Sequence, residues 1–260
     1  MLLSQYHFKM PDATTRTQSA KDHYDQMLGP VYSWIIGDFA TVSRRNATLL
    51  KSLGLHSESG ALAVDLGCGP GFHAVPLAEA GFRVIAIDFC DDLLTELRQH
   101  AGDRPIKMVC DNILQFRRHL DARPQVIICM GDTLVHLPDW RTAQALITEV
   151  VDALLPGGTF VASLRDYTGT PPEGPNRFIP VRSSSERIFT CFLHYRDDIV
   201  DVHDILQTRN GDDWHLEVSQ YRKLRLDFRL VIELLRELDM QIDRPFENHG
   251  LICIRSVKPD

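Results

Sequence analysis

Between Ala61 and Leu164, short apolar runs alternate with longer amphipathic stretches. The runs have the length of buried strands, and the stretches between them are long enough to form helices. This alternation predicts consecutive βαβ units, and therefore a parallel sheet covered by helices. The predicted strands are Leu62 to Leu66, Arg83 to Phe89, Ile106 to Cys110, Gln125 to Met130 and Thr159 to Leu164.

Apolar residues at helical spacing mark two of the helices. Residues 143–154 place six apolar side chains on one face, and Pro156 with the two glycines after it ends that helix. Residues 228–238 show a second such pattern. Two further runs, Gln241 to Pro245 and Leu251 to Val257, predict the last strands.

Two regions interrupt the alternation. The first sixty residues contain no strand pattern and show helical spacing that closes at Gly54, whereas a Pro/Gly cluster after Leu164 leads into β-rich runs with an Asn210-Gly211 hairpin turn. We therefore predict an α/β fold, a doubly wound, mostly parallel seven-stranded sheet with two additions. The predicted segments are an N-terminal helical lid over 1–60, a core over 61–165, an antiparallel insertion forming a cap over 166–226, and a C-terminal helix with the last two strands over 227–260.

Composition narrows the partners and the compartment. The 260-residue chain has a formal net charge of −7, which disfavours nucleic acid because phosphate binding needs clustered cations. Its apolar runs are far shorter than the roughly 18 residues of a membrane span, and its N-terminus lacks a signal peptide's apolar core. The six cysteines are scattered without a C-x-x-C pair, so we expect reduced thiols in a cytoplasmic protein and no metal site. The oligomeric state stays open.

A glycine-rich turn follows the first predicted strand. Gly67, Gly69 and Gly71 come shortly after Asp65 and before an amphipathic stretch, so the backbone can approach a ligand closely and then begin a helix. A dinucleotide-binding G-x-G-x-x-G turn would need glycine at position 72, where this chain has Phe72. A dinucleotide-binding turn also usually lacks a carboxylate just before its first glycine, whereas this chain has Asp65 there.

Polar side chains end the next two predicted strands as well. Asp88 ends the second strand, where a carboxylate can accept hydrogen bonds from both hydroxyls of a ribose. Asp111 and Asn112 follow the third strand, and their side chains can hydrogen-bond the edge of an adenine. Any one of these residues could be only a turn or cap residue. It is improbable that all of them together have no other role.

These strand-end sites, in this order, resemble those of the class I S-adenosylmethionine-dependent methyltransferases from about Ala61 to the C-terminus. The resemblance implies a Rossmann-like fold with S-adenosylmethionine as the cofactor. It places the glycine loop under the methionine part, Asp88 at the ribose and Asp111-Asn112 at the adenine. It implies the cofactor-binding residues Asp65, Gly67, Cys68, Gly69, Gly71, Asp88, Phe89, Asp111, Asn112 and Met130, with Tyr24 and Trp34 from the N-terminal segment folded over the cofactor. A place in the core of an added helix is the alternative for Trp34.

The sequence after the fourth strand narrows the reaction. Met130 to Asp139 lacks the Asn/Asp-Pro-Pro-aromatic sequence that clamps a planar amino group, which disfavours a nucleobase target. This stretch is similar to glycine N-methyltransferase and its small-molecule relatives, and the similarity includes Tyr32 to Asp38 and Leu164 to Tyr167. In that group an arginine at the position of Arg165 holds the carboxylate of the amino-acid substrate, a role that suits a planar guanidinium. An ion pair between Arg165 and Asp166 or another surface acid is the alternative.

Two departures from that group leave the substrate open. Asp132 stands where the glycine enzyme has an asparagine, so a charge can face the ammonium or hydroxyl of the substrate. The group's cofactor-binding arginine has no unambiguous counterpart, because Arg44 and Arg45 lie a few positions later than expected.

Methyl transfer from a sulfonium depends mainly on holding the nucleophile in line in a water-poor pocket, although an amine must first lose its proton. Asp132 and His136 are the candidate catalytic residues, and a structural hydrogen bond is the alternative for His136. Tyr221 is a further substrate-side candidate, with a solvated strand face as its alternative. We expect methyl transfer to a small molecule, first to an amine or amino-acid nitrogen. The alternatives are a small-molecule O-methyltransferase and a non-catalytic S-adenosylmethionine-binding regulatory protein.

Overall fold

The computed structural model describes residues 19–260, so the first eighteen residues of the predicted N-terminal lid lie outside the description. Twelve strands in the described part form two sheets. The strands are β1 (Leu62–Leu66), β2 (Arg83–Asp88), β3 (Ile106–Cys110), β4 (Val126–Cys129), β5 (Thr159–Leu164), β6 (Phe178–Ser183), β7 (Arg187–Tyr195), β8 (Ile199–Asn210), β9 (Asp213–Leu224), β10 (Gln241–Ile242), β11 (Phe246–Asn248) and β12 (Leu251–Val257).

Helices separate the strands of the first sheet and cover the start of the chain. The α-helices are α1 (Ala20–His23), α2 (Tyr32–Ile36), α3 (Phe39–Ser52), α4 (Ala74–Glu79), α5 (Asp91–Ala101), α6 (Trp140–Ala153) and α7 (Phe228–Glu237). A π-helical turn over Tyr24–Leu28 and a 3-10 turn over Gly29–Val31 join α1 to α2. Further 3-10 turns cover Ile113–His119, Thr133–His136 and Gly174–Arg177.

The central sheet has the order β10-β12-β5-β4-β1-β2-β3. Strands β1 to β5 pair in parallel, and β12 runs antiparallel to β5. This arrangement confirms the predicted doubly wound, mostly parallel sheet. The short strand β11 pairs with β12 outside the seven-strand order, so the sheet has one strand more than predicted.

Apolar side chains fill both faces of the central sheet, because strands buried on both sides need helices above and below them. Phe116, Phe160 and Leu235 belong to the cluster on one face, whereas Leu77 and Phe82 belong to the cluster on the other. The sheet is therefore a rigid platform for the loops at its carboxyl edge.

The predicted antiparallel insertion is a four-stranded sheet of order β6-β7-β8-β9. Asn210 pairs with Asp213 at the tip of the β8–β9 hairpin, where the sequence predicts a turn. Arg225 fastens the base of the insertion, because its Nε donates to the Tyr167 carbonyl at 3.0 Å and its Nη1 donates to the Arg196 carbonyl at 2.9 Å. The entry and the exit of the insertion thus share one side chain.

The helices at the start of the described chain pack on this insertion. Met27, Leu28 and Val31 form a small apolar cluster with Phe189 of β7 and Leu206 of β8. The N-terminal helices and the insertion therefore form one cover over the carboxyl edge of the central sheet.

No helix within residues 19–260 has both the length and the apolar character that a membrane crossing requires.

The order of the strands in the central sheet indicates where a ligand binds. The chain moves from β1 outward to β2 and β3, and then resumes on the other side of β1 at β4. In open α/β sheets, ligands bind in the crevice that this reversal leaves at the carboxyl ends of the strands.

Candidate active site

The loop after β1 approaches two neighbouring segments closely. The amides of Gly67 and Cys68 both donate to the Ile87 carbonyl, at 2.8 and 3.1 Å. Gly67 has φ +75°, and a Cβ placed there would lie 2.5 Å from a Thr133 side-chain carbon. Glycine is thus required at position 67 by both conformation and space.

Asp88 ties the end of β2 to the same loop. Its carboxylate accepts hydrogen bonds from the Gly69 amide at 2.8 Å and from the Cys90 amide at 2.9 Å. Burial raises the pKa of Asp88, while these amides oppose the rise. Because a carboxylate has about four acceptor positions, Asp88 can still accept hydrogen bonds from a ligand.

A cavity of about 260 Å³ lies between this loop, the ends of β2 and β3, and the N-terminal helices. We call it the glycine-loop cavity. The structure brings eight of the predicted cofactor residues to its wall, and these residues are Tyr24, Gly67, Cys68, Gly69, Asp88, Phe89, Asn112 and Met130.

The other four predicted cofactor residues lie outside that wall, and two of them face other parts of the chain. Gly71 faces α5, where a Cβ would lie 2.2 Å from a Leu97 methyl carbon. Trp34 lies beneath two arginines, with the Arg182 and Arg187 guanidinium carbons 5.6 and 5.9 Å from its ring centre. The structure thus places Trp34 between α2 and the insertion.

The remaining two are carboxylates. Asp111 is held by Arg118 and His119, each 2.5 Å from its Oδ2, and these partners lower its pKa. Asp65 is buried beneath the glycine loop, and neither of its oxygens has a hydrogen-bond partner in the described chain. Burial, with the nearby charge of Asp88, raises the pKa of Asp65 to about 8.

A second cavity, of about 540 Å³, lies under the four-stranded sheet, and we call it the insertion cavity. Tyr24, Tyr32, Met130, Gly131 and His136 line both cavities, so the two spaces meet at these residues. A molecule in the insertion cavity would therefore lie next to the part of the glycine-loop cavity that is lined by the residues after β4.

Asp132 lies in the wall of the insertion cavity, but its carboxylate is fully engaged by the chain. Its Oδ2 is 2.7 Å from Lys223 Nζ and 3.3 Å from the Tyr167 hydroxyl, and its Oδ1 accepts from the Arg165 amide at 2.8 Å. Desolvation alone would lower the pKa of Lys223, but the Asp132 charge raises it well above its usual range. Lys223 is therefore a protonated, mostly buried cation in the cavity wall.

His136 reaches both cavities from the turn after β4. Its Nδ1 is buried and has no hydrogen-bond partner in residues 19–260. Burial and the charge of Lys223 lower the pKa of His136 to about 3, so the ring is neutral at physiological pH. The neutral ring of His136 thus lies in the wall of both cavities.

Tyr221 lies between two histidine rings. Its ring stacks on His23 with centroids 4.1 Å apart and on His136 with centroids 5.6 Å apart. His23 is held by Asp204 at 2.9 Å and Ser219 at 2.7 Å. This stack places Tyr221 in the wall of the insertion cavity and attaches α1 to the inserted sheet.

Arg165 follows β5 at the rim of the insertion cavity. Its guanidinium makes no ion pair within the described residues, and Asp166, its suggested partner, instead accepts from Thr168. Arg45 of α3 lines the same cavity and also forms no ion pair in the described chain. Two unpaired cations thus face this space.

Residues 63–158 match a family model described as a methyltransferase domain. A glycine/sarcosine N-methyltransferase from Aphanothece halophytica is 28% identical over 152 residues, which cover 56% of this chain and 57% of the relative. The mouse glycine N-methyltransferase is 29% identical over 194 residues, covering 64% and 66%. The chain therefore contains a methyltransferase domain over residues 63–158 and is similar to S-adenosylmethionine-dependent methyltransferases.

Other relatives broaden the comparison. A ubiquinone biosynthesis O-methyltransferase from Methylococcus capsulatus is 30% identical over 127 residues, covering 47% of this chain and 52% of the relative. The structure of a sugar N-methyltransferase from Streptoalloteichus sp ATCC 53650 has a TM-score of 0.71 at 12% identity, covering 98% of this chain and all of that one. The aligned regions span 57% and 66% of the first two relatives' own lengths, below two thirds in both cases.

The glycine-loop cavity fits S-adenosylmethionine, the cofactor of the similar methyltransferases. A Cβ on Gly69 would lie 3.8 Å from the Tyr32 ring, in the cavity itself, so glycine leaves this space open. The carboxylate of Asp88 lines the cavity and suits ribose hydroxyls. Among the described residues, no group of three or more His, Cys, Asp or Glu side chains is arranged to hold a metal ion.

Sequence reasoning assigned no individual role to Lys223, His23 or Asp204, which lie around the candidate site. A signal exists for Lys223, because Tyr221 and Lys223 are two residues apart on β9 and therefore point to the same face. No comparable signal links His23 to Asp204, which lie 181 positions apart.

Proposed function

We propose that this protein transfers the methyl group of S-adenosylmethionine to the nitrogen of a small amine or amino acid that carries a carboxylate. The observation that carries the proposal is the guanidinium of Arg165, which faces the insertion cavity without an ion-pair partner in the described chain. A carboxylate bound there in bidentate fashion would satisfy this cation.

The charges around the cavity support an anionic group on the acceptor. Lys223 compensates Asp132, and His23 is the hydrogen-bond partner of Asp204, so these two acids are engaged. Arg165 and Arg45 then give the cavity a positive excess. This excess favours a carboxylate and disfavours a second cation.

The same charges favour the reactive form of the acceptor. A nitrogen is nucleophilic only after it loses its proton, and the positive excess that Arg165 and Arg45 give the cavity disfavours an ammonium ion. The neutral imidazole of His136 lines both cavities, where it can accept a hydrogen bond from the remaining N–H and so orient the lone pair. Asp132 acts in this proposal by holding Lys223 and the Arg165 backbone.

S-adenosylmethionine, when bound, supplies a methyl group activated by a positive sulfur and leaves as a neutral thioether. The chain then has to align the nitrogen and exclude water. Tyr24 and Tyr32 cover the junction of the two cavities. Burial raises the pKa of Tyr32 to about 12, so this hydroxyl stays neutral.

The test pairs each amino acid with the amine that lacks its carboxylate, using labelled cofactor and the variant Arg165→Gln. We expect kcat/KM for the amino acid to fall by about 10- to 100-fold, the scale of hydrogen bonds to charged groups. Turnover of the matched amine and the affinity for S-adenosylhomocysteine should stay within twofold. Arg229→Gln on the exposed face of α7 serves as the control, and an equal loss for amine and amino acid would reject the proposal.

The O-methyltransferase relatives favour a second candidate, transfer to a small hydroxyl compound. Hydroxylated analogues in the same panel separate the two, because the mass and fragmentation of the product locate the methyl group on nitrogen or oxygen. Binding of cofactor and acceptor without any product would instead favour a regulatory protein.

A further inference from the structure

The inner face of the four-stranded sheet changes character along its length. Lys223 pairs through Val200 with Tyr195 at one end, and Phe189 of the same strand as Tyr195 lies six residues away. At about 3.4 Å per residue these two positions are roughly 20 Å apart. The ionic end of the sheet is therefore well separated from the part that Phe189 occupies.

Apolar side chains surround the far end of the insertion cavity. Ile36 of α2 is 42% exposed, and Ile179 and Val181 of β6 are 40% and 42% exposed. All three line the insertion cavity, with Phe189 beside them. Exposed apolar groups clustered at a cavity commonly mark a binding surface.

Glycine would leave this end empty. A molecule that reaches Arg165 with a carboxylate and His136 with an amine lies at the ionic end of a cavity of about 540 Å³. Only an acceptor with a further apolar part reaches Ile36, Ile179 and Val181.

We propose that the acceptor is an amino acid or amine with a large apolar side chain, and that this side chain packs against Ile36, Ile179 and Val181. The inference rests on the proposed function, because it extends the acceptor from the carboxylate and nitrogen assigned there. Burial of a leucine- or phenylalanine-sized side chain strengthens binding by roughly 10- to 100-fold.

Calorimetry with S-adenosylhomocysteine-saturated protein tests the inference without requiring turnover. Glycine, leucine and phenylalanine share the α-amino carboxylate and differ in apolar volume. We expect leucine or phenylalanine to bind at least tenfold more tightly than glycine. The double variant I179S/V181S should remove that preference and leave glycine binding within twofold.

Phe178→Ser is the matched control. Phe178 belongs to the same strand, is 53% exposed and packs on Phe192 away from the insertion cavity. This variant should keep the preference for the larger amino acids. A double variant that keeps the preference, or a Phe178→Ser protein that loses it equally, would overturn the inference.

Turnover of the same three amino acids separates this inference from the proposed function. Tight binding of leucine or phenylalanine without methylation of any of the three amino acids rejects the proposed function but supports the assignment of the apolar side chain to Ile36, Ile179 and Val181. Methylation of glycine in preference to both larger amino acids supports the function and overturns the inference. Failure of all three amino acids to bind also overturns the inference.

Discussion

The ammonium of Lys223 and the carboxylate of Asp132 lie 2.7 Å apart, and this contact joins the last strand of the insertion to the loop after β4. Asp132 adopts φ +76°, a left-handed conformation that is uncommon for residues other than glycine. The position of the cap over the central sheet thus depends on a buried ion pair at a strained residue.

Removing one member of this pair should be costly. Lys223→Met leaves the Asp132 charge buried without its partner, which we expect to reduce the free energy of unfolding by about 3–5 kcal/mol. The double variant D132N/K223M should recover at least half of that loss, since it removes both charges. Urea unfolding of the parent and the single and double variants measures both effects. A double variant as unstable as the sum of the two single variants would contradict this account.

Asp88 should contribute to cofactor affinity. In Asp88→Asn an amide nitrogen replaces one acceptor oxygen, and we expect S-adenosylhomocysteine binding to weaken by about 1–3 kcal/mol in calorimetry. Asp91→Asn, an exposed substitution at the start of α5, provides the control and should bind as the parent does. Unchanged affinity in Asp88→Asn would reject the ribose assignment.

The raised pKa of Asp65 predicts that the stability of the protein depends on pH. The fold raises the pKa of Asp65 from 3.8 to about 8, so it favours the neutral carboxyl. The resulting stabilisation is complete below pH 3.8 and is lost as the pH rises toward 8.

Asp65→Asn removes this titration. Relative to that variant, the parent protein should lose about 3 kcal/mol of unfolding free energy between pH 5 and pH 7.5, measured by urea unfolding without cofactor. Asp103→Asn, on an exposed residue, should run parallel to the parent. Parallel profiles for the parent and Asp65→Asn would show that Asp65 is ionised throughout.

Two glycine substitutions separate backbone strain from crowding in the cofactor loop. Gly60 and Gly67 have φ of +69° and +75°, but a Cβ on Gly60 meets no atom within 4 Å, whereas one on Gly67 collides with Thr133. We expect Gly60→Ala to cost about 1–2 kcal/mol of stability and Gly67→Ala clearly more. Only Gly67→Ala should also weaken S-adenosylhomocysteine binding. Equal costs in thermal unfolding would mean that Thr133 moves aside freely.

The central sheet was predictable because its strands are buried on both faces, which leaves continuous apolar runs in the sequence. Asp88 and Asn112 were placed near the cavity by the same logic, since the ends of adjacent parallel strands meet at one edge. Strand β6 escaped prediction because all of its residues are exposed and Pro180 interrupts its pattern.

The acceptor side depends on contacts that local sequence does not encode. Lys223 and Asp132 are 91 positions apart, and their meeting depends on how the insertion folds back over the sheet. Asp132 was predicted to face the substrate's ammonium or hydroxyl, but the lysine of the chain itself takes that place. The orientation of Trp34 could not be predicted either, because the sequence of a short helix does not show which of its faces will pack against another part of the chain.

Arg225 follows the last strand of the inserted sheet and donates to the carbonyl of Tyr167, which precedes the first, so the chain leaves the core and returns to it at one point. A segment closed at its base adds little loop-closure entropy to the core, whatever its own length. The insertion can therefore be exchanged as one unit. Chimeras that exchange it at this base would alter the choice of acceptor while the cofactor-binding platform is inherited unchanged.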